Sequence, residues 1–140
     1  MGASPPSGVE TFYIDASVPE AVRKAIASVR KDVLYAGGPS APPVNTPDVV
    51  WLAQAGAKNW VVLGRDKKIK VRVRERQALI ESGVRSFCLN TGGNLNCWET
   101  LSLLVLRWEG IERIASQHPG PYVYSVKPSG VTPMFVAGLD

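Results

Sequence analysis

Three aspartates and a dense run of cations are the residues here whose types and spacing suggest chemistry. Asp15 follows the apolar run "TFYI", Asp48 lies at the start of "TPDVVWLAQAG", and Asp66 comes two residues after "WVVLG". Carboxylates brought together repel: at roughly 4 Å in an intermediate dielectric each pair costs about 4 kcal/mol, so a cluster needs bound protons or a cation. A hard divalent ion suits carboxylate oxygen, and Mg²⁺ keeps several waters, one of which it can activate against a phosphodiester while stabilising the leaving oxygen. Asp66 sits inside "VVLGRDKKIKVRVRER", where Arg65, Lys67, Lys68, Lys70, Arg72, Arg74 and Arg76 far outnumber the acids Asp66 and Glu75. Such cations can hold a polyanion by its backbone without reading its sequence.

Each feature also has a plainer reading. Asp15 can cap a following helix, Asp48 can favour the positive end of its own helix, and Asp66 can be a turn residue paired with Arg65 or Lys67. The basic run can be a solvated face. The conjunction is more specific than its parts.

The elements that must position these residues alternate along the chain. "TFYI" (11–14) reads as a buried strand that stops at Asp15. "PEAVRKAIASVR" places Ala21, Val22, Ala25, Ile26 and Val29 on one helical face, with Pro19 in the first turn. "DVLYA" (32–36) is a second strand, and "GGPSAPPVN" is a loop by its Gly and Pro content. A second helix has Thr46 as its cap, Pro47 at its first position, Val49, Leu52 and Ala53 on its apolar face, and Gly56 as its terminator. "WVVLG" (60–64) is a third strand, continuously apolar as befits a sheet covered on both faces.

The basic stretch from Lys68 to Arg74 alternates like an edge strand, but "RERQALIESG" reads as a helix. A loop leading into a helix over 73–82 is the expectation. "VRSFCLN" supplies a fourth strand, "CWETLSLLVLRWEGIERIASQH" a long helix with Leu101, Leu104, Trp108, Ile111 and Ala115 in register, and "PYVYSV" a fifth strand. Strands alternating with helices imply an α/β fold with a mostly parallel sheet of about five strands. In such folds ligands bind beyond the carboxyl ends of the strands, where Asp15 and Asp66 fall and where Asp48 can join them.

At 140 residues the chain suits one ordinary domain: a leader over 1–10, a folded unit over 11–127 and a tail over 128–140. A hydrophobic share of 45% and a charged share of 20% exclude a disordered or fibrous chain. The net charge of +4 suits a polyanionic partner, though the excess is modest. No apolar run is long enough to span a bilayer, and "MGASPPSGVE" lacks the basic and apolar regions of a secretory start. Cys88 and Cys97 form no CxxC pair and, with His118 as the single histidine, leave too few soft ligands for structural zinc. Reduced thiols in a cytoplasmic protein are expected. Trp60, Trp98 and Trp108 match apolar faces and belong in the core; Trp51 lies off its helix's stripe, where it would pack on a partner. Cys88 reads as a small buried hydrophobe, and His118 as a helix terminator.

The stretches "FYID", "TPDVVWLAQAGAKNWVVLGRDKKI", "RERQALIESGVRSFCL" and "HPGPYVYSV" together resemble the PIN-like domains of the VapC-type group, which includes the toxin ribonucleases of toxin–antitoxin modules. The likeness runs from Thr11 to Val126, and its most specific part is the segment from Asp48 to Lys67. It implies a three-layer α/β/α fold and a metal-dependent endoribonuclease, with Asp15, Asp48 and Asp66 as catalytic and metal-holding acids for Mg²⁺ or Mn²⁺. The fourth acidic or polar position of such domains falls in "NTGGNLN", which has no carboxylate, so Asn90 or Asn94 would serve there and one held ion is favoured over two. The resemblance makes Lys67 a partner for the scissile phosphate or the acids, and Arg65, Lys68, Lys70, Arg72 and Arg74 contacts for the RNA backbone. It also implies an antitoxin that blocks the acidic pocket, and it leaves a homodimer open. Two competing functions stand beside it. A phosphate-accepting receiver would want an acidic pair after its first strand, where "FYIDAS" offers one acid. A PIN-like module that binds RNA or protein without catalysis would keep the fold, but the presence of all three acids argues against a decayed site.

Overall fold

The computed structural model describes residues 10–65, 73–90 and 95–136, with backbone only at 73–76 and 135–136. Its elements run β1 (Phe12–Ile14), α1 (Glu20–Val29), β2 (Val33–Tyr35), α2 (Asp48–Ala57), β3 (Val61–Gly64), α3 (Val73–Ser82), β4 (Arg85–Leu89), α4 (Cys97–Gln117), β5 (Tyr122–Lys127) and β6 (Gly130–Val136). The strands form one sheet in the order β2-β1-β3-β4-β5-β6. β1 to β5 are parallel neighbours, and β6 returns antiparallel to β5.

Alternation along the strands divides the core between two faces. Phe12, Ile14, Val61, Leu63, Phe87 and Leu89 pack with Val22 and Ile26 of α1 and Leu104, Trp108 and Ile111 of α4. Tyr13, Val62, Cys88 and Val123 pack on the opposite face with Trp51, Leu52 and Ala55 of α2 and Leu79 of α3. The α/β/α layering therefore follows from strands that are apolar on both sides.

β6 occupies residues expected as a tail. Its sequence, with Pro133 and Gly130, carries strand-breaking signals, but it forms the sheet's edge, where a proline costs no ladder bond from a second neighbour. Pro133 lies opposite Tyr124, beside the register shift at Val123/Tyr124. At the other end Glu10, assigned to the leader, reaches the buried Arg85 at 2.8 Å.

Several helix details depart from the periodicity. In α1, Val22 and Ile26 are buried, but Val29 is 80% exposed and Arg23 is buried in the core, its guanidinium donating to the Val18 carbonyl at 2.6 Å. In α2 the cap is Pro47, without a side-chain cap bond, and Thr46 lies outside. The buried face is Trp51, Leu52 and Ala55, while Val49 and Ala53 face solvent. Trp51 is thus a core residue and not a surface anchor, because its ring reaches Tyr13 on β1. Gly56 is inside α2 and packs closely on the Ser82 carbonyl of α3; the left-handed residue that ends this segment is Asn59, at φ 59°. Trp98, expected in the core, is 76% exposed in the first turn of α4. Trp60, Trp108 and Cys88 are buried, and His118 is the C-cap of α4, as expected.

Candidate active site

The order β2-β1-β3-β4 makes the carboxyl ends of β1 and β3 a topological switch point, since the chain leaves β1 toward β2 on one side and leaves β3 toward β4 on the other. Asp15 stands there. Its backbone N–H donates to the Leu63 carbonyl at 2.9 Å, carrying the β1–β3 ladder one residue past β1. Alternation puts Asp15, Gly64 and Asn90 on the same sheet face as Tyr13, Val62 and Cys88, the face covered by α2 and α3.

Gly64 makes room for the acid. A Cβ added there would lie 2.5 Å from Asp15 Oδ2 and 3.1 Å from its Cγ, so the carboxylate leans over the backbone of β3 in space that only glycine leaves. Ser17 holds the other oxygen: its backbone N–H donates to Asp15 Oδ1 at 2.8 Å and its hydroxyl donates to the same atom. Ser17 Oγ also accepts from the Arg65 backbone N–H at 2.7 Å. One serine thus ties the loop after β1 to the chain leaving β3. Arg23 shapes the same loop through the Val18 and Ala16 carbonyls.

Asp48 is the first residue of α2, a position where the positive helix end favours a carboxylate. Its Oδ1 accepts from the Trp51 indole N–H at 2.9 Å. Trp51 packs on Tyr13 at 5.4 Å between ring centroids, and Tyr13 stacks on Trp60 at 5.3 Å. Asp15 and Asp48 line one pocket of about 90 Å³ with Tyr13, Ser17, Thr46 and Trp51. The Tyr13 phenol registers both: burial raises its pKa first, the Asp15 and Asp48 charges raise it further, and Arg23 opposes them.

The structure therefore brings together two of the three expected acids. Asp66, Lys67, Lys68, Lys70, Arg72 and Asn94 lie outside the described residues, as does the side chain of Arg74. Arg65 is joined to the site through its backbone. Asn90 uses its amide N–H on Ser125 Oγ of β5 at 2.9 Å and its backbone N–H on the Val126 carbonyl at 3.0 Å. The first acid after β4, Glu99, accepts the Asn96 N–H while Asn96 accepts the Glu99 N–H, closing a capping box at the start of α4. Among the described residues no three His, Cys, Asp or Glu side chains form a metal-holding group. The oxygen groups present, two carboxylates beside the hydroxyls of Tyr13, Ser17 and Thr46, are hard ligands that fit a divalent ion such as Mg²⁺ or Mn²⁺.

Ser17, Gly64, Trp51 and Tyr13 were not anticipated as parts of the site. Some signals were present: Asp-x-Ser is a local turn pattern, glycine ending an apolar strand marks a close approach, and Asp48 and Trp51 are i,i+3 neighbours on a helix.

Comparison with known proteins agrees with this architecture. A family model described as "PIN like domain" matches residues 11–91, and the chain belongs to that family. It is also 27% identical over 84 residues to "Putative ribonuclease VapC45" of Mycobacterium tuberculosis, a match that takes in 60% of this chain. The chain spans 59% of the length of that curated relative. No solved structure matches. Among the described residues no helix is long and apolar enough to cross a membrane.

Proposed function

We propose that this protein is a metal-dependent endoribonuclease, the toxin of a toxin–antitoxin pair, acting in the cytoplasm on RNA phosphodiester bonds. The observation that carries this reading is the convergence of Asp15 and Asp48 on one pocket at the β1/β3 switch point of a PIN-like domain. The name of the Mycobacterium tuberculosis relative points to the same activity.

Asp15, Asp48 and Asp66 would hold Mg²⁺ or Mn²⁺, with Asn90 or Asn94 as a further polar group. A bound ion of this kind supplies Lewis acidity toward a phosphoryl oxygen and toward an attacking water. The protein's own part is placement. Ser17 and Gly64 set the Asp15 carboxylate, α2 presents Asp48, and Arg65, Lys67, Lys68, Lys70, Arg72 and Arg74 hold the RNA backbone beside it. Phosphate contacts of that type position a substrate without selecting a base sequence. An antitoxin would silence the enzyme by placing an Arg or Lys against the acids, and reversing that charge on the antitoxin would release it.

The test is cleavage of end-labelled structured RNAs with Mn²⁺ or Mg²⁺, beside EDTA and a folded Asp66→Asn variant. Discrete products that need both the metal and Asp66 are expected. Cleavage indifferent to both would replace this reading with a non-catalytic module that binds RNA or protein.

A further inference from the structure

We propose that Trp51 is a positioning residue that fixes the Asp48 carboxylate for cation binding through its indole N–H. The proposal rests on the acidic-pocket reading above and adds a residue to it. Asp48 is exposed and sits in the first turn of α2, where a short side chain has several rotamers open to it. The indole N–H, 2.9 Å from Oδ1, selects one of them. Trp51 is itself immobilised: it is 8% exposed and packs against Tyr13, which stacks on Trp60. A rigid aromatic stack rooted in β1 thus dictates where a surface carboxylate stands.

The chemistry of the donor matters as much as its position. An indole N–H donates and cannot accept, and it carries no charge. It therefore occupies one carboxylate oxygen without neutralising the group, as a lysine or arginine would, and Oδ2 remains for a cation. Neighbouring Asp15 is likewise oriented by neutral groups at one oxygen, the Ser17 N–H and hydroxyl both reaching Oδ1. At Asp48 the neutral indole orders the carboxylate and leaves its negative charge intact. Outer partners of this kind typically change metal affinity or activity by about 10- to 100-fold when removed.

Trp51→Phe keeps an aromatic ring against Tyr13 and deletes the donor. Calorimetric titration of Mn²⁺ into wild type, Trp51→Phe and Asp48→Asn reads the effect directly. Trp51→Phe is expected to weaken Mn²⁺ binding about tenfold. Its RNA cleavage should fall at limiting Mn²⁺ and recover at saturating Mn²⁺, a rescue that a general packing defect would not show. If Trp51→Phe binds Mn²⁺ like wild type while Asp48→Asn does not, the positioning role is wrong and the acidic pocket stands. If Asp48→Asn also binds like wild type, or wild type binds no Mn²⁺, the pocket reading falls and the proposal with it. Should Trp51→Phe fail to fold, the Trp51 indole resonance in ¹H–¹⁵N spectra of the native chain decides. It must shift in Asp48→Asn and move during a Mg²⁺ titration; an indole signal unchanged by both overturns the proposal.

Discussion

At Gly64 a single hydrogen stands where a methyl would meet a carboxylate. Alanine there would bring its Cβ to 2.5 Å from Asp15 Oδ2, and of the two groups the side chain of Asp15 is the one able to move. Moving it breaks the paired hydrogen bonds from Ser17. Gly64→Ala should therefore fold, with a stability loss of about 1–3 kcal/mol from overpacking, and lose activity by about 100-fold, the scale of a displacement near 1 Å at a reacting centre. Thermal melts alongside cleavage kinetics check this; a variant with wild-type cleavage would show that the carboxylate need not lie over β3. Ser17 and Gly64 escape a search for ionisable groups because neither carries a carboxylate or a cation. Their contribution is to the position of Asp15, and position is not written in residue type.

The helices show the same limit at the level of elements. Element existence was legible for all but β6: apolar runs between breakers marked β1 to β5, and a helix over 73–82 follows the basic stretch as expected. Helix faces were less so. In α2 an i,i+3/i+4 stripe through Val49, Leu52 and Ala53 and one through Trp51, Leu52 and Ala55 are both available, and the sheet selects the second because Trp51 can reach Tyr13. Gly56 looked like a terminator, yet its role is to let α2 approach the Ser82 carbonyl of α3. Gly56→Ala gains about 1 kcal/mol of helix propensity against an overpacking cost of about 1–3 kcal/mol. The expected net result is a lower melting temperature with site chemistry unchanged, read by calorimetry and by Mn²⁺ affinity. A more stable Gly56→Ala variant would show that α2 and α3 have room to part.

Across the whole molecule, the sheet buries two tyrosines deeply enough to make stability depend on alkaline pH. Burial is the first cause of the raised pKa of both Tyr13 and Tyr122; nearby acids add to it at each, while Arg23 and Arg85 respectively oppose it. Below the ordinary phenol value of 10.0 the folded and unfolded chains both keep these protons, and stability is unaffected. Above it the unfolded chain releases them while the folded chain retains them, so stability falls as pH rises. Absorbance of tyrosinate should accordingly show two of the four tyrosines ionising only as helicity is lost, with onset above pH 10. Ionisation of Tyr13 and Tyr122 at the ordinary value in a folded chain would contradict their burial. Phe at both positions should flatten the alkaline loss.

The sequence by itself determined the α/β class, the order of the first five strands and four helices, and the acids at strand and helix ends, because periodicity and breakers are local properties of a chain. Asp15 and Asp48 could be named in advance for that reason. Only the tertiary structure decided that they share a pocket, that Gly64 and Ser17 orient one and Trp51 the other, and that Trp98 faces solvent while Trp51 does not. It also decided that 130–136 form β6: a strand containing Pro133 is viable on an edge, and whether a segment lies on an edge depends on the neighbours it meets after folding. The Ser17–Asp15 and Trp51–Asp48 hydrogen bonds join near neighbours in the chain, but the other outcomes rest on contacts between residues far apart, which no local pattern encodes.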